Sequence, residues 1–249
     1  MMADYSQYYA VVSPRFDQLR LDTKEEVERH CAWFMGSSNW DGGRLLDVGC
    51  GTGRYAFVFA LRGMLVTGLD ISQSQIAIAK CRIQTVIGSA PDLPFTGQAF
   101  EVVSFIMMLH QLSAAGTKKA IEQAHVVLVP RGRIWIKTCS HDDMRKRPFN
   151  DVFPSALKVN QNRYPPISDL RRLFFHHGFK PIRRITARDG YELTGAELLA
   201  RFSLKHNSTL HLIPADEFTE GLRVLSSKFA ANILYRFEHS HTLLEFMKI

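Results

Sequence analysis

The segment Leu45-Leu46-Asp47-Val48-Gly49-Cys50-Gly51-Thr52-Gly53-Arg54 predicts a short buried strand, a tight loop and the first turn of a helix. Three glycines stand at every second position of the loop. Glycine adopts positive φ and lets a ligand lie directly against the main chain. A helix that begins near Tyr55 would turn its free N–H groups toward such a ligand. The segment therefore predicts a ligand site where a strand gives way to a helix.

An acidic residue ends the next apolar run of the chain. Asp70 follows Leu65-Val66-Thr67-Gly68-Leu69 and lies 21 residues after Gly49. This separation is expected for a carboxylate that binds ribose hydroxyls at the end of a second strand. The glycine spacing, however, is G-x-G-x-G after Asp47, and differs from the G-x-G-x-x-G of dinucleotide-binding proteins. A ribose-containing ligand is predicted, without the dinucleotide fingerprint.

The loop sequence Asp47-Val48-Gly49-Cys50-Gly51-Thr52-Gly53 resembles motif I of the class I S-adenosylmethionine-dependent methyltransferases, of the UbiE-like small-molecule type. The resemblance runs from about residue 40 to about residue 187. It includes, in the family's order, Asp70, Gly88-Ser89-Ala90-Pro91-Asp92-Leu93-Pro94-Phe95 and Leu128-Val129-Pro130-Arg131-Gly132-Arg133-Ile134. It implies an α/β, Rossmann-like fold with a mostly parallel seven-stranded sheet and helices on both faces.

The resemblance also implies which residues bind S-adenosyl-L-methionine. Gly49, Gly51 and Gly53 would pass beneath its methionine part, where a side chain would collide with it. Asp47 would brace the loop or meet the amino group, and Asp70 would accept hydrogen bonds from both ribose hydroxyls. The full set of cofactor candidates is Asp47, Gly49, Cys50, Gly51, Gly53, Asp70, Ile71, Ser89, Ala90 and Met107.

The adenine contacts depart from the family pattern. Ile71 would pack on one face of the ring. Ser89 stands where many relatives have an acidic residue that bonds the adenine amino group. We therefore expect adenine recognition to depend more on the backbone N–H of Ala90.

His110 lies just after the fourth predicted strand, at the carboxyl end of the sheet, where ligands bind in open α/β folds. A histidine at this place is a candidate general base, because its pKa lies near the working pH. It could equally shape the pocket or hold the acceptor. Gln111 is a further candidate polar contact. The sequence leaves these roles open.

The N-terminal segment is rich in aromatic residues and supplies further candidates for acceptor binding, namely Tyr5, Tyr9 and Arg15. It resembles the segment that folds over the methyl-donor pocket in many small-molecule methyltransferases. The alternative is that these aromatic side chains fill an ordinary hydrophobic groove.

Alternating patterns predict a parallel sheet covered on both faces. Strands are predicted over 45–48, 64–69, 83–87, 100–107, 133–138, 180–187 and 234–247. Helices are predicted over 24–35, 54–62, 73–81, 117–128 and 169–177, a loop over 141–150, and two helical stretches within 194–228. We expect one domain over 1–249, made of an N-terminal lid (1–40), a cofactor-binding core (41–190), a helical insertion (191–232) and a closing strand (233–249).

The composition is ordinary for a globular protein of 249 residues, with 46% hydrophobic and 22% charged residues. No apolar run approaches the length of a transmembrane helix, and the N-terminus lacks the features of a secretory signal. Four cysteines lie far apart and form no CxxC pair, so free thiols are expected. We therefore expect a cytoplasmic protein with no membrane segment.

The net charge of +7 is compatible with nucleic acid, with an anionic substrate or with a moderately basic enzyme. No block reaches five like charges, which argues against nucleic acid. Among the histidines, His239 and His241 alternate in the last strand and face one side together. With no cysteine or carboxylate partner expected nearby, no metal site is predicted.

The resemblance implies methyl transfer by in-line displacement at the sulfonium methyl, with S-adenosyl-L-homocysteine as product. The motif Asn-Pro-Pro-Tyr of many nucleobase methyltransferases is absent after strand four, and no RNA-binding module is evident. A small-molecule acceptor is the leading prediction, and the positive net charge allows that acceptor to be anionic. Two alternatives remain: an RNA or protein methyltransferase, and a non-catalytic scaffold that binds the cofactor. The methylated atom and the oligomeric state are left open.

Overall fold

The structure is a computed structural model and describes residues 17, 20–36 and 38–249. Its strands are β1 (Arg44–Val48), β2 (Leu65–Asp70), β3 (Gln84–Ile87), β4 (Phe100–Ile106), β5 (Leu128–Thr138), β6 (Phe179–Thr194) and β7 (Leu234–Lys248). Its helices include α1 (Lys24–Met35), α2 (Arg54–Leu61), α3 (Gln73–Ala79), α4 (Ala114–Val127), α5 (His141–Arg145), α6 (Pro154–Arg163), α7 (Ile167–His176), α8 (Gly195–Ser203) and α9 (Ala215–Lys228). Two 3-10 turns cover Leu109–Gln111 and Ser208–His211.

The seven strands form one sheet in the order β3-β2-β1-β4-β5-β7-β6. Pairs among β1 to β5 run parallel, and β7 is antiparallel to both β5 and β6. The prediction of an α/β, Rossmann-like fold with a mostly parallel seven-stranded sheet is confirmed. The strand order reverses between β1 and β4, and ligands bind outside the carboxyl ends of the strands at such a point.

Helices bury both faces of the sheet, which explains the nearly continuous apolar run of β4. On one face, the rings of Phe34 and Phe59 pack on Trp135 at 5.6 and 5.2 Å between centroids. On the other face, Phe174 stacks on Phe246 at 4.6 Å. These aromatic contacts hold α1 and α2 on one side of the sheet and α7 on the other.

Several segments differ from the sequence prediction, and β5, for example, begins at Leu128 instead of Arg133. The predicted loop over 141–150 contains α5, which begins at a capping box formed by Ser140 and Asp143. The sequence predicts no element over 154–163, yet α6 forms there, with a proline at its first position. The strand predicted over 180–187 continues to Thr194, because β6 pairs with β7 along its whole length.

The helices predicted between the last two strands are present as α8 and α9. They pack with α6 around an apolar cluster that includes Phe153, Phe202 and Leu225. The rings of Phe153 and Phe202 stack at 5.2 Å between centroids. This cluster fixes the inserted helices above the carboxyl edge of the sheet. In the part of the chain that the structure describes, no helix combines the length and the apolar character needed to cross a membrane.

Gly221 offers a test of this packing, because a Cβ built on it would overlap the ring of Phe153. Replacing a glycine by alanine inside a helix usually stabilises it. Here we expect Gly221→Ala to lower the free energy of unfolding by roughly 1–3 kcal/mol, the usual cost of overpacking. Chemical denaturation measures the change. Ser226→Ala, on the exposed side of the same helix, serves as control, and an equal or higher stability of Gly221→Ala would contradict the packing.

Candidate functional site

One cavity of about 1190 Å³ lies at the carboxyl ends of β1, β2 and β4. Its loop side is formed by residues within 47–55, 69–75 and 88–91, and its helical side by residues within 147–164 and 202–210. A pocket for one small ligand has a volume of about 300–1,000 Å³. The cavity therefore has room for two ligands side by side, one against each wall.

The glycine loop closes the loop side because its backbone takes conformations that favour glycine. Gly49, Gly51 and Gly53 have φ of 73°, 56° and 80°. The N–H groups of Gly49 and Cys50 both donate to the carbonyl oxygen of Leu69, at 2.7 and 3.0 Å. A Cβ on Gly49 would stand 2.8 Å from the Cβ of Met108. The loop is thus held against the end of β2 with its backbone on the cavity wall.

Asp70 continues this wall at the end of β2. One carboxylate oxygen accepts the N–H of Gly51 and the other accepts the N–H of Ser72, each at 2.8 Å. Burial raises the pKa of Asp70, and the backbone N–H donors partly oppose that shift. Each oxygen keeps further acceptor capacity. The carboxylate is therefore fixed at the cavity and able to accept two hydroxyl groups of a ligand.

Asp47 is the more deeply buried carboxylate of the loop side, with 1% exposure. The hydroxyl of Ser104 donates to it at 2.6 Å. Burial raises the pKa of Asp47 to about 7. Among the described residues, no cationic side chain lies at ion-pair distance from it. A ligand that carries an ammonium group would therefore compensate its charge.

Comparison with known proteins identifies the family to which the chain belongs. A family model described as a methyltransferase domain matches residues 45–132. An uncharacterized methyltransferase of Synechocystis, sll0829, is 35% identical over 190 residues, which cover 72% of this chain and 85% of the relative. The chain belongs to the class I S-adenosylmethionine-dependent methyltransferases. Its cofactor is S-adenosyl-L-methionine.

One further relative is a named methyltransferase, and one solved structure has a similar fold. A ubiquinone biosynthesis O-methyltransferase of Pseudomonas syringae is 28% identical over 121 residues, or 44% of this chain and 50% of the relative. Among solved structures, the YcgJ protein from Bacillus subtilis superposes on this chain with a TM-score of 0.58 and 15% identity. The match covers 88% of this chain and 98% of the YcgJ chain. At that identity the structural likeness describes the fold alone.

Most predicted cofactor residues of this methyltransferase lie together on the cavity wall. They are Asp47, Gly49, Cys50, Gly51, Asp70, Ile71, Ser89, Ala90 and Met107. Gly53 is the exception, since it precedes the first turn of α2, and a Cβ there would meet the Cβ of Ala79 in α3 at 3.4 Å. The expected place of Gly53 beneath the methionine part stays a prediction. Its positive φ serves the entry into α2.

The residues fit the cofactor chemically. The carboxylate of Asp70 can accept ribose hydroxyls, and Asp47 can pair with the ammonium group of the methionine part. Ile71, 72% exposed, offers an apolar surface to the adenine ring. Ser89 and Ala90 lie beside it on the wall, where a serine hydroxyl and backbone groups replace the usual acidic side chain.

His110 lies between the two sides of the cavity. Its ring stacks on Tyr164 at 4.1 Å between centroids and 7° between planes. Its Nε2 lies 3.0 Å from the side-chain nitrogen of Gln111, and Gln111 accepts from Arg163 through its oxygen at 2.9 Å. The amide nitrogen therefore donates to His110, which carries its own hydrogen on Nδ1. Burial, and then the charges of nearby arginines, hold the pKa of His110 well below its usual value.

Basic side chains gather on the helical side. The arginines that lower the pKa of His110 are Arg163, Arg20 and Arg147. Arg163 also donates to Ser208 and Thr209, at 3.1 and 3.3 Å. Arg147 lies on the cavity wall, donates to the sulfur of Cys139 at 3.1 Å, and has no carboxylate at ion-pair distance among the described residues. The helical side therefore carries positive charge.

Sequence reasoning missed several residues of the helical side. Arg147 precedes α6, Arg163 is its last residue and Tyr164 follows it, and no element is predicted in this stretch. The aromatic and basic residues of 147–164 were the available signal, but nothing in their spacing indicates a cavity. The predicted acceptor residues Tyr5, Tyr9 and Arg15 lie outside the described residues, so their role stays a prediction.

The sequence premise about His239 and His241 is wrong. The two rings do face one side together, 4.9 Å apart. Two carboxylates lie beside them, because α1 brings Glu26 and the end of β6 brings Asp189. Glu26 accepts from Nε2 of His239 at 2.8 Å. Residues far apart in sequence meet here through the pairing of β6 with β7 and the packing of α1 on that pair.

The raised pKa of Asp47 predicts how cofactor binding depends on pH. In the free protein this carboxyl loses its proton near pH 7. The ammonium group of S-adenosylhomocysteine would favour the ionised form, so binding releases a proton below that pH. We expect affinity to rise by up to about tenfold per pH unit from pH 5.5 to 7 and then to level off. Calorimetry at each pH measures the affinity.

Two variants check the assignment of this pH dependence to Asp47. Asp47→Asn should bind more weakly at pH 8 and lose the dependence. Ser104→Ala should move the midpoint upward, because the hydrogen bond from Ser104 lowers the pKa of Asp47. A pH profile unchanged in both variants would show that another group titrates.

Proposed function

We propose that this methyltransferase transfers the methyl group of S-adenosylmethionine to a small-molecule acceptor that carries an anionic group. The observation that carries the proposal is the single cavity shared by the glycine loop and the inserted helices. The cofactor would occupy the loop side and the acceptor the helical side. An acceptor enclosed by helices on that side must be small.

The walls of the helical side support this size limit. Phe153 and Phe202 reach the cavity from α6 and α8, and Leu210 reaches it from the second 3-10 turn. Their apolar cluster fixes those elements in place. A folded RNA or a protein surface would have to displace them. The name of the relative from Pseudomonas syringae, an O-methyltransferase of ubiquinone biosynthesis, supports an acceptor of the small-molecule class.

The charge of the helical side supports an anionic acceptor. Arg147 is half-buried on the wall, and its hydrogen bond to the thiol of Cys139 is weaker than one to a carboxylate. Arginine binds carboxylate or phosphate groups with two parallel hydrogen bonds. A negative group on the acceptor would therefore gain a strong partner there.

We propose in-line displacement as the reaction. Bound S-adenosylmethionine supplies an electrophilic methyl group on sulfonium sulfur. The protein aligns the acceptor with that methyl group and keeps water out, and alignment alone can lower a barrier by about 7–11 kcal/mol. Gln111 occupies the Nε2 lone pair of His110, so this histidine holds the acceptor or the pocket wall and does not act as a general base.

A labelling experiment tests the acceptor class. The purified protein is incubated with S-adenosylmethionine labelled at the methyl group and, in separate reactions, with a small-molecule cell extract, bulk tRNA or denatured cell protein. We expect label in the small-molecule fraction, in compounds retained by an anion exchanger. Asp70→Ala should reduce labelling, because it removes the proposed acceptor of the ribose hydroxyls, and Asp92→Ala, at an exposed site, serves as its control. Efficient labelling of tRNA with salt-sensitive binding would overturn the proposal.

The role of His110 has its own test, once a labelled acceptor is identified. We expect His110→Ala to raise KM for the acceptor with little change in kcat. The lost contact would stabilise the bound acceptor and the transition state by equal amounts. A fall in kcat of roughly 100-fold or more that recovers at higher pH would instead indicate a general base. His125→Ala, a histidine outside the cavity wall, serves as control.

A further inference from the structure

Four potential metal ligands meet at the edge of the helical side, where β6, β7 and α1 come together. They are Glu26, Asp189, His239 and His241, and one ligand atom from each lies within 4.8 Å of the others. Three of the side chains are buried and His239 is partly buried. Both histidines also line the cavity. The group is therefore enclosed by protein on one side and open to the cavity on the other.

The polar atoms of this group are incompletely satisfied. Glu26 has no exposed surface, and its Oε2 has no hydrogen-bond partner among the described residues. The Nδ1 of His241 is also buried without a partner and lies 3.7 Å from Oε1 of Glu26. Each buried polar atom left without a partner destabilises the fold. Two such atoms on neighbouring side chains fit a ligand that accepts lone pairs from both residues.

The charges nearby point to a cationic ligand. Asp22 pairs with Lys137 at 2.5 Å and Asp189 pairs with Arg29 at 2.5 Å. The ion-pair partners of Glu26 among the described residues are the imidazoles of His239 and His241. Glu26 is thus a buried carboxylate with no lysine or arginine at ion-pair distance among the described residues, and burying an unpaired charge is costly. A divalent cation would compensate it.

We propose that Glu26, Asp189, His239 and His241 bind a divalent first-row transition-metal ion, with Zn²⁺ as the reference ion. Two imidazole nitrogens favour zinc and its neighbours over Mg²⁺ or Ca²⁺, which prefer oxygen ligands. Metal–ligand bonds of about 2.1 Å place tetrahedral ligand atoms about 3.4 Å apart. The separations of Glu26 Oε1 from His239 Nε2 (2.8 Å) and from His241 Nδ1 (3.7 Å) lie on either side of that value.

Metal binding requires little rearrangement of the surrounding side chains. The ion takes the place of the hydrogen between Glu26 and His239, which then carries its hydrogen on Nδ1. His30 donates to Asp189 at 3.0 Å while accepting from or donating to Tyr55 at 2.9 Å, so Asp189 is already held in position. Such outer contacts orient a metal ligand. Because both histidines line the cavity, the ion would add positive charge at the edge of the helical side, an effect on the acceptor that rests on the proposed function.

Zinc titration of the full chain tests the site. The protein is stripped with a chelator, and zinc chloride is added in competition with a chromophoric chelator. We expect one ion per chain. Glu26→Gln and His241→Asn should each weaken binding by at least about 100-fold, the upper end of what loss of an outer contact costs at a metal site. Cobalt substitution should give visible absorption of the wild type that both variants lose.

Matched control variants distinguish the loss of the metal site from a general effect of replacing a surface residue. Glu28→Gln lies on the exposed side of α1, and His176→Asn lies at the exposed end of α7, so both should bind zinc as the wild type does. Absence of one-to-one zinc binding, or equal affinity in Glu26→Gln and wild type, would overturn the site. Should Glu26→Gln not fold, His239→Asn replaces it. S-adenosylhomocysteine binding, measured separately without metal, tests the proposed function, so the two failures are distinguishable.

Discussion

The carbonyl oxygen of Leu69 is the point on which the cofactor side of the structure depends. It accepts two successive N–H groups from the loop after β1 and so ties that loop to the end of β2. Asp70, the next residue, accepts a third N–H from the same loop. Positive φ at Gly49 and Gly51 lets the backbone make these hydrogen bonds, and the absence of side chains at both glycines leaves the backbone exposed to the cavity. The main chain itself, with few side chains, therefore forms the surface on which the cofactor is expected to lie.

Local sequence was sufficient to predict this half of the site. The loop, β2 and Asp70 fall within 26 consecutive residues, 45–70, and their geometry follows from residue types that few other backbones require. The parallel sheet was equally predictable, because β4 is apolar throughout and only a strand covered on both faces needs such a sequence. Gly53 shows the limit of prediction from local sequence. Its spacing matched the ligand loop, while its conformation serves the start of α2.

The helical side could not be predicted in the same way, because contacts distant in sequence create it. Glu26 and His239 are 213 residues apart, and the sequence around either residue does not indicate a contact with the other. The long pairing of β6 with β7 carries Asp189 and the two histidines to α1. The segment before and within α6 was missed for a related reason. Its helix has a weak apolar stripe, and its place depends on Phe153, which packs on α8 and α9.

The two sides of the cavity carry different charged groups, and this difference has a chemical meaning. Asp47 and Asp70 line the loop side, whereas Arg147 lines the helical side and Arg163 supports it. A cofactor with an ammonium and a sulfonium group is attracted to the first, and an anionic acceptor to the second. Charges interact more strongly in a cavity from which water is excluded than in solution. The cofactor would therefore be attracted to the loop side, and the proposed anionic acceptor to the helical side and to the positively charged sulfonium group. Orientation then follows from the placement of charge, and neutral His110, its Nε2 already bonded, need not move a proton for the two ligands to meet.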